Sequence, residues 1–165
     1  MATLKQFKAR KEYVCSKCGR RIKKGEQYYR FSPSRFLPLK PRCLNCKPKP
    51  SEMTQSEFLS RIYEIEEIIS QIETIEEIDE VISELEELMS ETEEKLDNMP
   101  EQLQDSDVGM LLQERIDAVQ EMIDELENLR DELESLEDED MDKEEKEERR
   151  EEIISEIQSV SYSGS

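Results

Sequence analysis

The sequence predicts a mainly α fold: a small four-cysteine module with short strands, then a long antiparallel helical hairpin, then a short third helix. Three observations lead there. The only four cysteines fall in two CxxC pairs, Cys15/Cys18 and Cys43/Cys46, with 24 residues between them. Charge is divided unevenly: up to residue 50 there are 15 Lys and Arg against 2 acids, and beyond it 8 against 41. From Phe58 onward apolar residues recur in steps of three and four, the period of a helix with one apolar stripe. The expected organisation is a basic module over 1–50, an acidic coiled-coil hairpin over 51–137, and an acidic hinge, short helix and disordered tail over 138–165.

A two-residue gap lets both thiolates of a pair reach one tetrahedral ion from a single tight turn, and Gly19 supplies the positive φ such a turn needs. Together Cys15, Cys18, Cys43 and Cys46 complete an all-sulfur shell for one structural Zn2+, with no open position for water or substrate. Two disulfides and a rubredoxin-like iron site are the alternatives. The opening Met1-Ala2-Thr3-Leu4-Lys5-Gln6-Phe7-Lys8 lacks the apolar core of a secretory signal. Reduced thiols in a cytoplasmic protein are therefore expected. Iron also suits a CxxCG knuckle, but zinc is the expected ion. So small a module buries little apolar surface, and its folding should depend on the metal.

Within the module, Tyr13-Val14 reads as a strand into the first knuckle, and Gln27-Tyr28-Tyr29-Arg30-Phe31 as a strand by its aromatic content. The segment 32–41 carries three prolines and should be a loop without ladder bonds, and Pro48 and Pro50 should close the module. Six of the nine aromatic residues lie here: Phe7, Tyr13, Tyr28, Tyr29, Phe31 and Phe36. Most should be core, with one or two of Tyr28, Tyr29 and Phe36 exposed. Fifteen cations on so small a unit must form a patch. Lys11, Arg20, Arg21, Lys23, Lys24, Arg30, Arg35 and Arg42 are the candidate phosphate contacts, with Lys5, Lys8 and Arg10 as a flexible arm.

The run Lys8-Ala9-Arg10-Lys11-Glu12-Tyr13-Val14-Cys15-Ser16-Lys17-Cys18-Gly19-Arg20-Arg21-Ile22-Lys23-Lys24-Gly25-Glu26 resembles the opening of the poly(ADP-ribose) polymerase-type zinc finger. It is also similar to zinc-ribbon modules of small phage and bacterial proteins. The resemblance covers under a third of the chain, and it implies contact with DNA backbone and exposed bases. Cys43 stands where that family has a histidine, and the gap between pairs is shorter.

In the acidic part, Thr54-x-x-Glu57 is a capping box ahead of an apolar run, so one long helix should start here. Its seam is Phe58, Ile62, Ile65, Ile69, Ile72, Ile75, Ile78, Ile82, Leu85 and Met89, with a phase slip around Ile72-Ile75-Ile78. Asp97-Asn98-Met99-Pro100 breaks it, and Pro100 to Leu103 can form one helical turn. Asp105-Ser106-Asp107 then offers an N-cap for a second helix. That helix carries Leu112, Ile116, Val119, Ile123, Leu126, Leu129, Leu133 and Leu136. Folded back, it pairs Met89 with Ile116 and so on down to Ile69 with Leu136 at constant register, which predicts a hairpin about 45 Å long with its tip near Leu103. A third helix is expected from about Asp142 to Val160, with Ile153, Ile154, Ile157 and Val160 as its apolar patch. Phe58, Ile62, Ile65, Ile153, Ile154 and Ile157 have no partner in the hairpin. They either cover one another or form a protein interface.

These features favour a non-enzymatic zinc-finger protein that binds nucleic acid, DNA rather than RNA, through the basic module, while the acidic body docks a protein or forms a homodimer. The alternative is an acidic adaptor or nucleic-acid mimic, of the kind a phage encodes, with the zinc module as a staple. No small-molecule substrate and no membrane partner is expected. The chain has no histidine, no Gly-rich phosphate loop and no run of about 18 apolar residues.

Overall fold

The structure, a computed structural model, describes residues 4–32, 38–138 and 142–164. Arg35, Phe36, the hinge residues Glu139, Asp140 and Met141, and Ser165 lie outside the described residues. The chain is mainly helical and divides into two compact units, Met1–Tyr63 and Glu64–Ser165.

The first unit holds the strands. They are β1 (Gln6–Lys8), β2 (Tyr13–Val14), β3 (Arg21–Ile22), β4 (Gln27–Phe31) and β5 (Lys40–Cys43), followed by a 3-10 turn, Leu44–Cys46. Antiparallel pairing gives a three-stranded sheet in the order β1-β4-β5 and a two-stranded ribbon β2-β3. Registers place Phe7 and Cys43 on either side of Tyr28, and Tyr13 opposite Ile22. Gly25, at φ 92, makes the β3–β4 turn, and its N–H donates to the Ala9 carbonyl at 2.8 Å.

One core cluster of this unit is Ala9, Cys15, Ile22, Tyr28 and Cys43. Tyr13 stacks on Tyr28 with ring centroids 5.0 Å apart. Tyr28 and Tyr29 are both buried, so neither is the exposed ring expected from the sequence. Pro50 does not end the module either. It opens a one-turn helix, α1 (Pro50–Met53), because its missing N–H and fixed φ suit the first helical position.

Helix α2 (Glu57–Ile69) lies across the division between the units, and Ser56 rather than Thr54 caps it, its Oγ accepting the Leu59 N–H at 3.3 Å. The single long first helix is not found. The chain breaks at Ser70–Thr74 and restarts as α3 (Ile75–Asp97), where Thr74 and Glu77 form the capping box: Glu77 N–H donates to Thr74 Oγ1 at 3.4 Å and Thr74 N–H to Glu77 Oε2 at 3.1 Å. What read as a phase slip in one seam is the end of one helix and the start of another. Ile72, in the break, is buried, and its carbonyl accepts the Gln158 side-chain amide at 2.9 Å.

After α3 come α4 (Glu101–Gln104), α5 (Asp107–Asp138) and α6 (Lys143–Ile157). Helix α5 packs on α3, α4 and α6. Arg130, late in α5, bonds Asp79, early in α3, at 3.2 Å. The buried stripe of α3 includes Val81 and Leu88 beside the expected Ile78, Ile82 and Leu85, and that of α5 includes Ala118 and Met122. Such stripes are wider than a two-helix seam.

Two expectations are corrected. Phe58, Ile62, Ile65, Ile153 and Ile157 are buried within the single chain and Ile154 is half-buried, so this set is core rather than an interface offered to a partner. The C-terminal segment is docked: Tyr162 N–H donates to Glu66 Oε1 at 2.9 Å, Ser163 Oγ to Glu121 Oε2 at 3.2 Å, and Val160 is buried.

Gly109, in the first turn of α5, packs closely on the end of α4, because a Cβ there would overlap the Gln104 carbonyl. The Gln104 side-chain amide in turn donates to the carbonyls of Leu96, in the last turn of α3, and Met99, just beyond it. Gly109→Ala should therefore lower stability by about 1–3 kcal/mol, read as a reduced midpoint in urea with helix content retained. An unchanged midpoint would remove this contact from the account.

Candidate metal centre and the cations around it

Each cysteine pair sits where a strand ends. Strand β2 delivers Cys15 into a tight turn in which Gly19 N–H donates to the Cys15 carbonyl at 3.0 Å, and Cys15 N–H donates to the Arg20 carbonyl at 2.8 Å. Gly19 has φ 72, as the spacing predicts. Strand β5 delivers Cys43 into the 3-10 turn that ends at Cys46. Ser16 N–H donates to the Pro41 carbonyl at 2.9 Å and ties the two knuckles together.

The four sulfurs lie within 4.8 Å of one another, and all four cysteines are free thiols. Cys18 Sγ and Cys43 Sγ are 3.7 Å apart. Around a tetrahedral ion with bonds of about 2.3 Å, neighbouring sulfurs stand about 3.8 Å apart, whereas a disulfide needs about 2 Å. The cluster can therefore bind one zinc ion, and the donor set fits. Cys15 and Cys43 are buried, Cys46 is half-buried and Cys18 faces solvent.

Proton affinity is spread across the cluster. Burial pushes the Cys15 thiol up, but the backbone N–H groups of Cys18, Cys43 and Lys17 outweigh it and bring Cys15 down to about 6. The Cys46 thiol is pushed up to about 12, mainly by the sulfurs of Cys18 and Cys43 and then by burial. Four like charges cannot share this space alone. A divalent cation removes the repulsion and lets every thiol ionise.

The cations divide into two groups. Lys11, Arg20, Arg21, Lys23, Lys24 and Arg30 are exposed, with Lys11 lying 5.7 Å over the Tyr13 ring and Arg30 5.5 Å over Phe7. Arg42 is different. It is 8% exposed, lies 5.0 Å over the Phe31 ring, and donates from Nη2 to Glu52 Oε1 at 2.6 Å. Arg42 is thus a structural cation rather than a phosphate contact. Glu52 was not among the residues singled out from the sequence; the signal for it was Pro50 at the first position of a helix, which places an acid at the third.

No family model matches the chain, and neither a curated protein nor a solved structure is similar to it. The resemblance to the polymerase-type finger thus gains no support from these comparisons. What stands is a four-cysteine, zinc-competent module with short antiparallel strands.

Two predictions follow from this geometry. The chain should take up one zinc per molecule, and Cys15→Ser should abolish uptake and unfold the strands while most helical circular dichroism survives. A stoichiometry of zero or two would refute the assignment. Separately, partial burial raises the Glu52 carboxyl, but the Lys49 N–H and the Arg42 guanidinium outweigh it and hold the group below the ordinary carboxylate value. A depressed carboxyl stabilises fully above its unfolded value of about 4.3 and loses that contribution as pH falls through the folded value. Glu52→Gln should cost about 1–3 kcal/mol at pH 7, because Arg42 is left without its anion, and less under acid conditions where wild type has also lost the charge. An equal cost at pH 7 and pH 3 would show that the pair does not act through charge.

Proposed function

We propose that the protein is a non-enzymatic nucleic-acid-binding protein whose zinc module contacts phosphates, with DNA favoured over RNA by the resemblance alone. One observation carries the reading. Arg20, Arg21, Lys23 and Lys24 are all exposed on the segment that follows the first knuckle, and among the described residues none of them is in an ion pair. Their backbone is fixed by the β2–β3 ribbon, by Gly25, and by the Glu26 carboxylate, which accepts the Lys23 N–H at 2.9 Å. Preset cations of one sign lose little freedom on meeting a polyanion and release its condensed counterions.

The body is read as an antiparallel hairpin of α3 and α5, supported by the Arg130–Asp79 bond between late α5 and early α3. A protein-docking role for it is supported by Leu103, Val108 and Met110, which stay exposed near the α4–α5 turn. Those residues replace the interface expected at Phe58, Ile62 and α6.

The test is a titration of full-length, zinc-loaded protein with a labelled oligonucleotide over a range of salt. Affinity should fall with a log–log slope of about −0.7 to −0.9 per phosphate contacted, and replacing Arg20, Arg21, Lys23 and Lys24 by Glu should abolish binding. The same replacement at Arg42 should instead unfold the module. Absence of binding by wild type at about 50 mM salt, where phosphate contacts are near their strongest, would overturn the reading.

A further inference from the structure

Beside the second knuckle, on the first unit, is a recess of about 380 Å³ whose lining includes Arg20, Ile22, Glu26, Gln27, Leu44 and Asn45. Its size is at the lower end of small-ligand sites, about 300–1,000 Å³. Three elements meet there: the end of the first knuckle and β3, the start of β4, and the 3-10 turn after Cys43. Ile22 is fully buried and forms an apolar floor, and Leu44 is 44% exposed beside it.

The polar side chains around this floor are unspent. Among the described residues, Arg20, Gln27 and Asn45 make no side-chain hydrogen bond. Glu26 uses one carboxylate oxygen for the Lys23 N–H and keeps acceptor capacity on the other. The recess therefore presents two amides, each a donor and an acceptor, one carboxylate acceptor and one guanidinium, all around an apolar surface.

We infer that this recess holds one unpaired nucleobase of a bound strand, with Leu44 against the ring face, Gln27, Asn45 and Glu26 on the base edge, and Arg20 on the adjoining phosphate. The inference rests on the nucleic-acid reading and sharpens it. A base edge carries donors and acceptors side by side, which matches two amides and a carboxylate better than a chain of phosphates does. Base pairing occupies the same edge, so the site selects single strands or frayed ends over intact duplex. The apolar contact comes from Leu44, and an aliphatic contact on the ring face is tolerant of which base it meets.

The experiment compares full-length, zinc-loaded wild type with the double variant Gln27→Ala/Asn45→Ala. Fluorescence anisotropy would be read with a labelled 12-nucleotide single strand and with the blunt duplex of the same sequence. Wild type should prefer the single strand by about three- to tenfold, the worth of one or two hydrogen bonds. The variant should lose that preference while its duplex affinity and its one zinc per chain are unchanged. A variant that keeps the preference, or that weakens on both probes alike, overturns the recess and leaves phosphate binding standing. Binding of neither probe by wild type overturns the nucleic-acid reading as well. A polyglutamate peptide of equal charge that competes as well as the single strand also overturns the inference, because it assigns the recess to an acidic protein segment.

Discussion

Four sulfurs occupy a space in which four negative charges cannot coexist without a cation among them, and the first unit depends on that constraint. The apolar cluster around the sulfurs is small: Ala9, Ile22 and Tyr28 together with the buried Cys15 and Cys43. A cluster of this size contributes little burial to hold two-residue strands such as β2 and β3 in register. The cluster joins the end of β2 to the end of β5, elements far apart in sequence, and the Ser16–Pro41 backbone bond closes the same junction. A metal held there would supply cohesion that leaves the surface of this unit free to carry 15 cations against 2 acids up to residue 50.

The second unit solves the opposite problem. Its carboxylates repel one another, and its cations are few; Arg130 pairs with Asp79 and Asp131, and Arg149 with Glu132 and Glu152, at exposed positions where such pairs contribute little. Cohesion comes instead from burial. Ile69, Ile78, Leu85, Val119, Leu126 and Ile157 are each fully shielded from solvent. Each such side chain contributes roughly 1.5–3 kcal/mol, several times an exposed ion pair. The wide stripes on α3 and α5 serve this end, since a third helix and the docked C-terminal segment add burial that a bare pair of helices would lack.

Much of this was legible in the sequence. The CxxC spacing brought all four sulfurs together, the 3-4 periodicity located α5, and the hinge and single apolar patch located α6, each to within a few residues. The failures share a cause. A period of three and four says which side of a helix is apolar, but it does not say where the helix stops; only Thr74 followed by Glu77 did, and that box lay hidden among other acids. Residues left over from a two-helix pairing had two readings, mutual cover or an interface, because pairing by register does not say what covers a residue outside the pair; they are buried. Arg42 shows the same blindness at one residue. Its neighbour in the ladder, Tyr29, and its ion-pair partner, Glu52, come from segments that sequence order does not bring near. Among the 15 cations up to residue 50, nothing local marked it as one that turns inward.

Charge density bears on what the exposed cations meet. Helix α3 carries 11 acids and one lysine over 23 residues. At about 1.5 Å per residue that is one net charge every 3.4 Å or so, close to the spacing along a single nucleic-acid strand and about half the density of a duplex. By charge alone, then, an acidic helix of this kind rivals a single strand for the cations that follow the first knuckle, and only a duplex clearly exceeds it. Discrimination between a strand and a carboxylate-bearing helix must therefore come from groups that do not respond to charge. Leu44 and the amides of Gln27 and Asn45 are such groups, and a base offers them a flat face and a hydrogen-bonding edge that a glutamate side chain lacks. On the proposal above, their place beside Arg20 would couple recognition of a base to neutralisation of the phosphate next to it.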